Sequence, residues 1–187
     1  MPERTALRSS TVGKVYVILA LFIAIILCLV VLQQLQLDAM VAVRAFVGGE
    51  GLWAKAQKDA VLNLEHYALS RDEADYREVL RLIRVPLGNK KARQELQKER
   101  PDLQVAREGF LEGRNHPADM DCGIAYFRRF QRVRRFSHVI EHWTSGDRLI
   151  SDLAGAAAAF HEEIASGRAG PETVRAFQSR LDTLNRK

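Results

Sequence analysis

The chain has 187 residues, with 28 Lys and Arg against 23 Asp and Glu. This length allows one domain with a hydrophobic core of its own. The resulting net charge of +5 is a mild excess that does not by itself indicate nucleic-acid binding.

Residues 15–32, VYVILALFIAIILCLVVL, contain no charged residue and no helix breaker. As a helix these residues span about 27 Å, close to the ~30 Å hydrocarbon core of a bilayer. No small-x-small cleavage site follows directly, so an uncleaved anchor is favoured over a signal peptide. We therefore predict a transmembrane helix over residues 15–35.

The charges before this segment predict its orientation. Arg4, Arg8 and Lys14 outnumber the single acid Glu3, and positive flanks stay in the cytoplasm. Residues 1–14 are then a cytoplasmic tail at the inner membrane, and residues 36–187 lie in the periplasm. This topology removes nucleic acid as a partner and separates Cys28 from Cys122, for which burial is favoured over intermolecular pairing.

Beyond the span the apolar residues follow a helical period, with no convincing alternation of period two. The sequence predicts an all-α fold, in which the membrane helix continues into an extracytoplasmic antiparallel helical bundle. Ser70 and Glu73 have capping-box spacing and predict a helix start. Pro86 and Gly88 predict its end, before a short charged helix over residues 89–100. Pro101 predicts the first position of the next helix, which ends at Gly113.

In the second half Pro117 predicts another helix start. A long buried stripe is predicted from Ile124, Phe127, Phe130, Val133, Phe136, Ile140 and Trp143. Residues 144–147 are a candidate interruption or a new cap. The last helix, after Gly170 and Pro171, carries a heptad seam of Val174, Phe177, Leu181 and Leu184. We expect another helix of the same chain to cover this seam, rather than a second copy.

Three glycines, Gly48, Gly49 and Gly51, lie within four residues. They are similar to the GGDEF signature of diguanylate cyclases, but helical patterns flank them here. They indicate a helix hinge or a close approach of another backbone.

His138, Glu141 and His142 spell His-x-x-Glu-His, a motif of some zinc hydrolases. Glu162 or Glu163 is a conceivable third ligand. A short motif of this kind arises by chance in a charge-rich helical sequence. We therefore predict no metal site, no cofactor and no enzymatic activity for these residues.

Arg128, Arg129, Arg132 and Arg135 form a basic group among aromatic residues. Guanidinium groups bind carboxylates and phosphates in pairs of parallel hydrogen bonds, so the group is a candidate site for a small anionic ligand. The alternative is a solvated face that pairs with Glu108, Glu112 and Asp119. Trp53 and Trp143 are interpreted as core anchors.

Three stretches, over residues 42–76, 85–96 and 115–150, resemble a family. It is the N-terminal input region of proteobacterial membrane-bound sensor histidine kinases, often hybrids, and diguanylate cyclases. The resemblance implies an extracytoplasmic helical sensor between two membrane helices, with cytoplasmic output modules beyond. The chain has no second span and no output module, so we expect a fragment or a truncated relative.

We predict that the chain is the signal-input region of a transmembrane signal transducer, which is a homodimer at full length. One alternative is a membrane-anchored helical interaction module without output. A less favoured alternative is a zinc-dependent hydrolase that uses His138, Glu141 and His142.

Overall fold

The computed structural model describes the backbone of residues 3–185 and the side-chain surroundings of residues 12–185. Within that range the chain forms six α-helices and no strand: α1 Glu3–Ser70, α2 Glu73–Leu96, α3 Leu103–Glu112, α4 Pro117–Phe130, α5 Arg134–Ala165 and α6 Pro171–Asn185. The all-α prediction is confirmed. The chain divides into two compact units, Met1–Val41 and Ala42–Lys187.

The first unit contains the apolar part of α1. Its large apolar side chains are mostly half exposed or more, from 48% at Ile25 to 70% at Met40. By length and composition, α1 is the one helix in the described residues that can cross a membrane, with the candidate region within Val12–Ser70.

The second unit has a core of two hydrophobic clusters. The first cluster joins α1, α2, α5 and α6 around Leu64, Tyr67, Val79, Ile150 and Phe160. The second cluster consists of Leu96, Ala106, Ile124, Phe127 and Ile140, with Phe46, Phe110, Phe136 and Trp143 packed against it. These buried side chains supply the apolar contact area that holds the helices of this unit together.

Helix α2 is longer than predicted. It passes through Pro86 and Gly88 without ending and includes residues 89–96, most of the charged segment that was predicted to be separate. Gly88 instead marks a crossing with α3, where an added Cβ would lie 2.6 Å from the carbonyl oxygen of Gly109. Only glycine allows backbones to approach this closely, and the buried contact outweighs the helix-breaking tendency of Pro86.

The helix starts follow the local side-chain caps. The Ser70 capping box is wrong, because Asp72 caps α2 by accepting from the amide of Ala74 at 2.8 Å. Pro101 is not in the first turn of α3 either, because Asp102 is the cap and accepts from the Gln104 amide at 2.9 Å. The predicted start of α4 at Pro117 is confirmed.

The predicted stripe from Ile124 to Trp143 is broken. Helix α4 ends at Phe130 and α5 begins at Arg134, so Val133 falls in the turn and is 48% exposed. The candidate interruption at residues 144–147 is absent, because α5 passes through it.

Helix α6 agrees with its prediction. Phe177 and Leu181 are buried in the first cluster, and Val174 and Leu184 pack against it. The ring of Phe177 stacks on that of Phe160 in α5, with centroids 3.9 Å apart. The seam is therefore covered within the chain, as predicted.

Candidate functional site

The second unit contains a cavity of about 600 Å³ that is partly open to solvent. Its walls come from all six helices, α6 contributing only Asn185, and from the turn between α3 and α4. This volume lies in the range of small-molecule sites. The cavity is the candidate functional site.

Aromatic side chains form much of the lining: Phe46, Trp53, Phe110, Phe127 and Trp143. Trp53 packs against the first core cluster, whereas Phe46 and Trp143 pack against the second, with their ring centroids 5.8 Å apart. The cavity therefore lies between the two halves of the core. Both tryptophans of the chain line it, so they are more than the core anchors that the sequence suggested.

One wall is fastened by a buried ion pair between α2 and α5. The guanidinium of Arg93 binds the carboxylate of Asp147, and both side chains are less than a tenth exposed. Arg93 also donates to Thr144 Oγ1 at 3.0 Å and to Gln97 Oε1 at 3.3 Å. Burial lowers the pKa of Arg93 below its ordinary value. Lys90 Nζ donates to Ser151 Oγ at 3.0 Å and adds a second link.

An amide pair closes another side of the cavity. Asn115 Nδ2 donates to Asn89 Oδ1 at 2.6 Å and to the carbonyl oxygen of Phe110 at 3.0 Å. Its Oδ1 faces α1, where a Cβ built on Gly49 would lie 2.7 Å away. A Cβ built on Gly48 or on Gly51, by contrast, meets nothing within 4 Å. All three glycines lie inside α1, so the cluster does not end the helix.

The turn that carries Asn115 has an unusual backbone. Arg114 has a φ of 58°, and the amides of Arg114 and Asn115 donate back to the carbonyl oxygens of Leu111 and Phe110. This is the Schellman arrangement, in which the left-handed position is usually glycine. An arginine therefore occupies a strained position and lines the cavity.

The lining has more cations than acids. The cations are Arg44, Lys58, Lys90, Arg93 and Arg114, and the acids are Glu50, Asp119 and Asp147. Arg44 pairs with Asp119, and Arg93 pairs with Asp147. Three cations then face one acid, so the lining has an excess of positive charge.

The arginines predicted to bind an anion lie elsewhere. Arg128, Arg129, Arg132 and Arg135 are exposed and are not among the residues that line the cavity. Two of their three predicted acidic partners are engaged by other cations, since Lys91 binds Glu112 at 3.0 Å and Arg44 binds Asp119, while Glu108 accepts from the side-chain amide of Gln104. The cavity cations were missed because they are scattered along the sequence. Only Arg114 had a local sequence signal, because it directly follows Gly113, the residue at which the sequence predicts the end of a helix.

The His-x-x-Glu-His motif lies on the surface of α5. His138 Nδ1 contacts Glu141 Oε2 at 3.3 Å, and both side chains are more than two-thirds exposed. Glu162 follows His142 by twenty residues, roughly 30 Å along the helix. Across the described residues no three His, Cys, Asp or Glu side chains are grouped to hold a metal ion. Cys122, expected to be buried, is half-buried in α4.

Within the described residues, the fold and the cavity define a helical protein with one candidate membrane helix and a partly open cavity of small-molecule size. Comparison with protein-family models, with curated proteins and with solved structures finds no match.

Proposed function

We propose that this chain is the signal-input region of a bacterial membrane-bound signal transducer, anchored by α1, with residues 36–187 in the periplasm. The observation that carries the proposal is the cavity of about 600 Å³ between two separate core clusters. A molecule bound there contacts both clusters at once. Binding therefore stabilises the packing in which both clusters contact the ligand, relative to any packing in which they do not.

Two further features support this role. Helix α1 contributes Phe46 and Trp53 to the cavity and also contains the candidate membrane segment. In addition, residues 42–76, 85–96 and 115–150 resemble input regions of sensor histidine kinases and diguanylate cyclases. The proposed role is ligand binding and transmission, and the catalytic output belongs to modules outside this sequence.

Cysteine accessibility tests the proposed topology. In a background of Cys28→Ala and Cys122→Ala, one variant has Leu69→Cys, at a side chain 72% exposed in α1. The matched variant has Ser9→Cys, in the predicted cytoplasmic tail. A membrane-impermeant maleimide added to intact spheroplasts is expected to label Leu69→Cys, and to label Ser9→Cys only after lysis. The reverse pattern, or labelling of neither before lysis, contradicts a periplasmic sensor.

A further inference from the structure

We infer that the cavity binds a water-soluble amphipathic organic anion, with a carboxylate held by the cations and an apolar body held by the aromatic rings. This inference deepens the proposed function by naming the ligand class. Two kinds of side chain, aromatic and cationic, share the cavity.

The aromatic lining of the cavity is the reason to expect an apolar part in the ligand. Phe46, Trp53 and Trp143 come from two different core clusters and are only partly buried. An apolar group placed between them removes their rings from water and gains both hydrophobic and stacking contacts. A small inorganic ion does not fill this space.

The excess of cations in the lining is the reason to expect an anionic group in the ligand. With Arg44 and Arg93 neutralised by their own acids, Lys58, Lys90 and Arg114 outnumber Glu50, the remaining acid of the lining, although the charge of Arg114 also acts on Glu78 outside it. A cationic ligand meets a net positive lining and is disfavoured. A carboxylate gains charge-assisted hydrogen bonds, and Arg114 offers the paired donors that match its geometry.

The backbone at Arg114 distinguishes a binding role from a structural one. Arg71 also has a positive φ, of 56°, but its guanidinium donates to the carbonyl oxygen of Ala169 at 3.0 Å and thereby ties two segments together. Within the described residues, the Arg114 guanidinium has no such hydrogen bond to a carbonyl oxygen, and Arg114 is one of the residues that line the cavity, where its charge also acts on the Glu78 carboxylate. Replacing it by glycine relieves the strained position and removes one ligand-binding group. Stability and binding are therefore expected to change in opposite directions.

The test uses the full chain in phosphatidylcholine nanodiscs, with empty nanodiscs as the blank. The probe is 4-phenylbutyrate, and the charge-reversed 4-phenylbutylamine and inorganic phosphate are controls. Because both tryptophans line the cavity, their fluorescence reports its occupancy. We expect a saturable change with 4-phenylbutyrate and none with the amine or with phosphate.

Two glycines provide matched variants. Gly48 lines the cavity and Gly51 does not, yet a Cβ at either position meets nothing within 4 Å. Gly48→Leu is expected to abolish the response to 4-phenylbutyrate, whereas Gly51→Leu preserves it. Arg114→Gly is expected to weaken binding about tenfold and to raise the melting temperature.

Several outcomes overturn the inference. They are the absence of a saturable response to 4-phenylbutyrate, an equal response to the amine, equal behaviour of Gly48→Leu and Gly51→Leu, and unchanged affinity in Arg114→Gly. Because binding is measured directly, none of these outcomes bears on the topology, which the spheroplast labelling decides independently.

Discussion

Arg93 of α2 and Asp147 of α5 form an ion pair that is more than nine-tenths buried, and Thr144 and Gln97 accept further hydrogen bonds from the same guanidinium. The pair joins two helices that both line the cavity. Buried charges of this kind stabilise a structure only when each partner is present.

The first prediction compares the removal of one charge of this ion pair with the removal of both. Asp147→Leu leaves the Arg93 charge buried and without its carboxylate, and we expect it to cost about 3 kcal/mol of unfolding free energy. The double variant Arg93→Met, Asp147→Leu should return to within ~1 kcal/mol of the parent. Urea unfolding in detergent, followed by tryptophan fluorescence, measures both. A double variant as unstable as the single one refutes this account.

The second prediction concerns Gly49. Its missing side chain makes room for the Asn115 amide, which is held in place by Asn89 and Phe110. Gly49→Leu should therefore destabilise the chain by roughly 1–3 kcal/mol, although leucine is the better helix former. Gly51→Leu, in open space, is the control and should stabilise the chain by up to ~1 kcal/mol. Similar melting temperatures for the two variants argue against close packing at Gly49.

The third prediction is a pH dependence at Glu95. Its nearly buried carboxylate accepts from Lys98 Nζ and from the Asp102 amide at 3.0 Å. Both hydrogen bonds lower the pKa of Glu95 below its ordinary value of 4.5, and the hydrogen bond from Lys98 has the larger effect. The folded state thus binds this proton less readily than the unfolded state. The contribution of Glu95 to stability is full above the ordinary pKa and is lost as the pH falls through the lowered one.

Melting temperatures measured between neutral pH and about pH 3 test this dependence. Glu95→Gln should have a flatter acid limb than the parent, and Lys98→Ala should move the loss of stability toward higher pH. An acid limb identical in the parent and in Glu95→Gln removes Glu95 as its cause.

The fourth prediction is that the protein, in its proposed role as a transducer, is a dimer that pairs along α1. Single cysteines from Gln33 to Ala45, in a background without Cys28 and Cys122, should cross-link in membranes with a period of about 3.6 residues. The pattern should shift when the cavity is occupied by 4-phenylbutyrate. The absence of any cross-link along this stretch excludes a symmetric pair through α1.

The sequence alone determined the features that depend on local chemistry. Apolar composition over residues 15–32 predicted a helix long and apolar enough to cross a membrane, and helical periodicity predicted the all-α fold. Pro117 marked the start of α4, and the spacing of Val174, Phe177, Leu181 and Leu184 marked the buried face of α6. Each signal lies within a few turns of one helix, where residue spacing fixes which side chains share a face.

Only the tertiary structure decided the continuation of α2 and the position of the candidate site. Helix α2 continues past Pro86 because Gly88 and Gly109 let α3 approach closely, a contact between residues far apart in sequence. The exposed basic group of Arg128, Arg129, Arg132 and Arg135 was conspicuous because it is contiguous. The cavity draws its cations from α1, α2 and the turn at Arg114, and its rings from four helices. Such a site exists only after packing brings separate segments together, so no local pattern predicts it.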